Sequence, residues 1–139
     1  MTGYLLDSNV VSEAIKPRPD PLVLSFLKTE ADMWLSAVVL HELEFGILRL
    51  DPGRRRDHLR SRLESYLIQY AHRLLPVGDV EAVAAASLRA EAQRGGRVLH
   101  VADALIAGTA RAYGLTVVTR NVGDFEAIDV DVVNPWVGP

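Results

Sequence analysis

The chain has 139 residues, 49% of them hydrophobic and 24% charged, enough for a single globular domain over residues 1–139 that removes roughly two-thirds of its unfolded surface from water. It contains no cysteine, which excludes disulfides and thiolate metal sites and leaves oxygen or imidazole as the only metal ligands. A net charge of −3 argues against wholesale coating of nucleic acid, the start Met1-Thr2-Gly3-Tyr4 carries no basic leader, and no apolar run approaches the roughly 18 residues that span a bilayer, so the expectation is a soluble, cytoplasmic protein that meets no membrane.

Tyr4 to Leu6 reads as a short strand ending in Asp7, after which Ser8 and Asn9 can cap a helix to about Ile15 that Lys16-Pro17-Arg18-Pro19 stops. Asp20 and Pro21 open a second helix with the stripe Leu22, Val23, Phe26 and Leu27, broken at Glu30-Ala31-Asp32. Met33 to Leu35 is a second strand. Ser36 begins a helix with Val39, Leu43, Ile47 and Leu50 on one face, and the Asp51-Pro52-Gly53 turn leads into a longer one from Arg54 to Tyr70. This second helix of the pair carries Leu59, Leu63, Tyr66, Leu67 and Tyr70 on one side and arginines on the other.

A third strand spans Arg73 to Val77, Asp79 caps an alanine-rich helix that ends at Gly95-Gly96, and Val101 to Tyr113 is a helix closed by Gly114. Leu115 to Thr119 is a β-branched buried strand and Asp131 to Val133 a short last one. Strands separated by crossover helices predict an α/β fold, a mainly parallel sheet of four to five strands covered on both faces. In such sheets ligands bind at the carboxyl ends of strands, where Asp7 and the Asn121 to Asp124 segment fall.

Four acids lie on or beside apolar surface: Asp7, Glu42, Asp103 and Asp124. A carboxylate is costly there unless compensated, and one divalent cation compensates several at once. Each also has an ordinary reading. Asp7 can be a helix cap, Glu42 a solvated helix residue beside the solvated Glu44, Asp103 a first-turn residue favoured by the helix dipole, and Asp124 part of a turn. Asn121 and Asp124 compete for one role, and only Asp124 brings a full negative charge. None of His41, His58, His72 and His100 has ligand spacing. No phosphate-binding glycine loop or nucleophile elbow is present.

Leu5-Leu6-Asp7-Ser8-Asn9, Leu35-Ser36 through Glu42-Leu43-Glu44-Phe45-Gly46, Asp103-Ala104-Leu105-Ile106-Ala107 and Thr119-Arg120-Asn121 through Asp124-Phe125, in that order and spacing, resemble the PIN domain and specifically the VapC-type ribonuclease toxins of bacterial toxin-antitoxin pairs. The resemblance implies a three-layer α/β/α sandwich. It implies that Asp7 and Asp103 ligate Mg²⁺ or Mn²⁺, with Glu42 and Asp124 completing a catalytic acidic set and Ser8, Asn9, Ser36, Thr119 and Asn121 as supporting polar groups. RNA would be hydrolysed by a metal-activated water. Ser8 stands where the family more often has Thr, and Asn121 where many relatives have Asp. Arg120, Arg54, Arg55 and Arg56 are candidate RNA contacts, although the arginine cluster also reads as a solvated helix face. Implied partners are a VapB-type antitoxin seated in an apolar groove near the helix pair, a second copy of the chain, and operator DNA reached only through the antitoxin.

Two other classes compete. One is a catalytically weak PIN-fold binding module working within a DNA-binding complex, which Asn121 motivates. The other is a phosphatase of the haloacid-dehalogenase kind, disfavoured because Asn9 stands where a second Asp is required and because Lys16 and Lys28 are expected outside the site.

Overall fold

The computed structural model describes residues 3–30 and 32–138, so Ala31 of the expected 30–32 break and the Met1-Thr2 start lie outside the described residues. Five strands, β1 (Tyr4–Leu6), β2 (Met33–Ser36), β3 (Leu74–Leu75), β4 (Thr116–Val118) and β5 (Val132–Val133), form one sheet in the order β3-β2-β1-β4-β5. Every pairing is parallel. Six helices flank it: α1 (Ser8–Ala14), α2 (Pro21–Thr29), α3 (Ala37–Leu48), α4 (Arg54–Leu67), α5 (Asp79–Arg94) and α6 (Val101–Tyr113). β1 has the expected bounds and β2 runs one residue longer, whereas β3, β4 and β5 are shorter than the apolar runs suggested, because only part of each of those runs pairs. Leu115 and Thr119, for instance, are buried on either side of β4 without belonging to it.

β1 is the central strand, and its register, Leu5 opposite both Trp34 and Val117, explains its wholly apolar character. With neighbours on both edges and helices on both faces, Leu5 and Leu6 have no exposed surface. The chain builds outward from β1 to β2 and β3, then crosses back to place β4 and β5 on the other side. That reversal beside β1 is the point where an open parallel sheet opens a crevice at its carboxyl edge.

Helix ends follow local chemistry. Asp20 caps α2 by accepting from the Leu22 amide at 2.8 Å, and Ser36 caps α3 by accepting from Val38 at 3.0 Å. Gly114, at φ 67°, closes α6 in the left-handed conformation that glycine reaches without strain. Asp79 does not cap α5. Gly78 holds the cap position with an extended backbone, and its amide donates to the Glu81 carboxylate at 3.2 Å. Asp79 is instead the first helical residue, where the dipole still favours its charge.

α4 ends at Leu67 and tightens into a 3₁₀ turn through Tyr70. Its arginines are not segregated from its apolar side: Arg55 and Arg62 line the same groove as Leu59 and Leu63. Glu44 is also more than a solvated residue, because both of its oxygens accept from Arg60, at 2.7 and 2.6 Å, tying α3 to α4.

Candidate acidic active site

The carboxyl ends of β1 and β4 lie side by side, Asp7 donating its amide to the Val118 carbonyl at 2.9 Å. Ser8 and Asn9 were the expected caps of α1, but Asp7 itself takes that place. Its extended backbone directs Oδ1 onto the Ser8 amide at 2.8 Å, since the residue before the first helical turn is the one whose side chain can reach the free amides. Oδ2 accepts from the buried Thr119 hydroxyl at 2.7 Å and from the Asn9 amide at 3.4 Å. Asn9 also donates to Thr119 Oγ1 at 3.2 Å and accepts from the Arg120 amide at 3.3 Å. The Asn121 amide donates to the same threonine oxygen at 3.0 Å. One hydroxyl therefore pins Asp7 and the 119–121 turn together.

Asp7 opens into a cleft of about 400 Å³ that is also lined by Ser8, Asn9, Glu42, Asp103, Arg120 and Asn121. α3 contributes Glu42 from its middle, beside the buried Leu43. α6 contributes Asp103 from its first turn, where the dipole favours an acid, just before the buried run Ile106 to Ala110. So the cap and first-turn readings and the cleft placement hold together for Asp7 and Asp103.

The electrostatics of these three acids are alike. Burial is the main cause that raises each carboxyl above its ordinary range. Asp7 is further raised by Asp124, Glu42 by Asp7 and Asp103, and Asp103 by Asp7 and Asp124. Hydrogen bonds from Thr119 and Ser8 partly offset the effect at Asp7, and the Ser8 hydroxyl and His41 do so at Glu42. Glu42 Oε1 nonetheless is buried with no hydrogen-bond partner among the described residues. A buried, unpartnered carboxylate oxygen facing two other acids suits a cation.

Among the described residues, no three His, Asp or Glu side chains converge into a ready-made ligand cage. That is compatible with Mg²⁺, which keeps several waters and needs only one or two direct carboxylates. Asn121 lines the cleft, whereas Asp124 sits on an exposed 3₁₀ turn outside its lining and is felt by Asp7 and Asp103 through charge. Ser36 is not at the cleft; its hydroxyl is wholly buried capping α3. Arg54, Arg55 and Arg56 do not line it either.

Lys16, expected outside any site, is a lining residue, together with Ser12, Glu13 and Trp136. Ser8, Ser12 and Lys16 recur every four residues, a helical spacing that was available in the sequence. Trp136 had no such signal, since only the closing turn after β5 brings it back under Arg120, whose guanidinium lies 5.1 Å from the ring centroid.

Residues 4–131 match the family model described as the PIN domain. The chain belongs to the PIN-domain family. Within the family it is 41% identical to Toxin FitB of Neisseria gonorrhoeae over 135 residues, 95% of this chain and 97% of that protein. It is 38% identical to the VapC ribonuclease Y4jK of Sinorhizobium fredii, again over 95% of this chain, and 96% of that one. A solved structure of FitAB bound to a DNA fragment superposes with a TM-score of 0.91 at 37% identity, covering 98% of this PIN domain and 97% of the matched chain. Likeness at this level over the whole length places the chain among the VapC- and FitB-type toxins.

Proposed function

We propose that this PIN domain is the endoribonuclease toxin of a toxin-antitoxin pair, acting on RNA phosphodiester bonds with a divalent cation, Mg²⁺ or Mn²⁺. The observation that carries the reading is the gathering of Asp7, Glu42 and Asp103 around one cleft at the carboxyl end of the central strand, with Glu42 Oε1 buried and unpartnered. The name of the Sinorhizobium relative, a VapC ribonuclease, supports the same activity.

In this reading Asp7 and Asp103 hold the cation, Glu42 completes the acidic set, and Asp124 adds the fourth charge. When bound, the cation supplies Lewis acidity toward the scissile phosphate and lowers the pKa of a water ligand so that it can attack. The protein's own part is orientation. Thr119 and the Ser8 amide fix both oxygens of Asp7, and α6 presents Asp103 from a rigid first turn. Without a cation these carboxylates repel an RNA backbone.

The partner reading rests on a second cavity of about 830 Å³ between α1, α3 and α4, floored by Ile15, Leu43, Ile47, Leu59 and Leu63. It shares Ser8, Ser12, Lys16 and Glu42 with the acidic cleft. An antitoxin segment lying in this groove could extend a cationic side chain to Glu42, for which an arginine is suited. Operator DNA would be met through the antitoxin, in keeping with the DNA-bound FitAB relative, and the toxin would pair with a second copy of itself in the cytoplasm.

One observation favours a second reading. An uncharged Asn121, rather than an acid, occupies the cleft wall, which fits a weakly catalytic module that serves the antitoxin complex. Incubating purified, antitoxin-free protein with total cellular RNA and Mg²⁺ or Mn²⁺ separates the two. Cleavage by the wild type that is lost in Asp7→Asn, in Asp103→Asn and in chelator is the expected result. Full cleavage in excess chelator would overturn the metal-dependent reading, and no cleavage by the folded protein would favour the binding module.

A further inference from the structure

We infer that Lys16 and Arg120 form a two-cation clamp for an RNA phosphate next to the scissile one, Lys16 held in place by the buried Glu13 and Arg120 by the Trp136 ring. This rests on the ribonuclease reading and adds a substrate-binding subsite to it. Glu13 faces the acidic cleft from α1, and its side chain is only 9% exposed. A carboxylate buried there adds to the negative charge of the site, so its presence needs a local reason.

The reason is visible in its contacts. Oε1 accepts from the Lys16 ammonium at 2.9 Å, and Oε2 accepts from the Asp20 amide at 2.9 Å. Glu13 thus fastens both ends of the Lys16-Pro17-Arg18-Pro19 loop, which the prolines already stiffen. Its carboxyl is held below the ordinary range, first by the Lys16 hydrogen bond, with the charges of Lys16 and Arg120 also contributing. Glu13 therefore stays ionised while Asp7, Glu42 and Asp103 across the cleft are pushed the other way.

Both cations remain available to a ligand. An ammonium has three donors, Glu13 takes one, and the Lys16 side chain is 56% exposed. Arg120 is exposed and is steadied by the Trp136 ring beneath it, with no ion pair among the described residues. Two cations against one carboxylate leave a net positive rim on a cleft whose far wall is acidic. A polyanion that must bring one phosphate to the carboxylates gains an anchor for its neighbour at that rim.

The test is steady-state cleavage of total cellular RNA with Mg²⁺ by wild type, Lys16→Ala, Lys16→Arg and Glu13→Gln, alongside binding of mixed-sequence single-stranded RNA to each across a salt series. Lys16→Ala should raise KM about tenfold with kcat within about twofold, and reduce the slope of log affinity against log salt by about one. Lys16→Arg should restore both. Glu13→Gln, which can still accept from the Asp20 amide but cannot hold the ammonium by charge, should raise KM without lowering kcat, a split that a merely structural role would not produce. Unchanged KM and salt slope in Lys16→Ala, beside an active wild type, would overturn the clamp while leaving the nuclease standing, even if antitoxin affinity fell. Absence of cleavage by the wild type would overturn both.

Discussion

Single atoms decide most at this site. Thr119 Oγ1 gives Asp7 its shortest hydrogen bond and receives the amides of Asn9 and Asn121. Thr119→Val keeps the volume and removes that hub, so it should cost about 1–3 kcal/mol of stability, from the buried groups left unpaired, and about 10- to 100-fold in cleavage, as loss of an outer-shell partner does. Denaturant midpoints and single-turnover rates check the two effects separately. Replacing an acid has a different signature. Asp103→Asn and Glu42→Gln should each lower cleavage by at least about 100-fold, no less than the loss of an outer-shell partner, yet raise the thermal midpoint of metal-free protein at neutral pH, because each removes a buried charge facing other carboxylates. A variant that lost activity and stability together would have been acting through packing instead.

At the scale of elements, the contact that seats Asp103 is the close packing of α6 on α5. A Cβ at Gly108 would fall 2.7 Å from the Ala85 amide nitrogen and 2.8 Å from the Glu81 carbonyl oxygen, both backbone atoms that cannot swing aside. Gly108→Ala should therefore destabilise by about 1–3 kcal/mol, seen as a lower denaturant midpoint at unchanged slope, despite the better helix propensity of alanine. Gly46, on α3, has no atom within 4 Å of its would-be Cβ and lines the apolar groove. A larger residue there should leave stability nearly unchanged and weaken antitoxin binding, which titration calorimetry would measure. The two glycines look alike in the sequence, each set in a helical run, and only the neighbouring backbone tells them apart.

Across the whole molecule, the raised carboxyls make stability depend on pH in a direction opposite to ordinary acid denaturation. Between the usual carboxylate range and the raised values of Asp7, Glu42 and Asp103, the folded state holds more protons than the unfolded one, so stability falls as pH rises through that window. Glu13 and Asp32, both lowered by their cationic partners, contribute with the opposite sign, and their contribution is lost only below the usual range. Thermal midpoints of metal-free protein should fall as pH rises above the usual carboxylate range, Asp103→Asn should flatten the trend, and added Mg²⁺ or Mn²⁺ should reverse it by binding the deprotonated folded state. A rising trend in metal-free protein would mean that the three acids do not share one buried field.

How much of this was legible in the sequence follows from the range of each interaction. The strand-then-helix alternation, the cap at Asp20, the Gly114 stop and the placing of the four acids at element junctions or beside a helix's apolar residues all depend on neighbours within a turn or a strand, so local chemistry determined them. The shift of the α5 cap from Asp79 to Gly78 turned on one residue of backbone conformation that composition does not register. Tertiary structure alone decided that Trp136 borders the cleft and that Asn121 rather than Asp124 lines the wall. These last depend on the crossover that sets β4 beside β1, joining Thr119 to Asp7 across 112 positions of chain. Side-chain periodicity reports which face an element buries, but it is silent about what stands opposite that face.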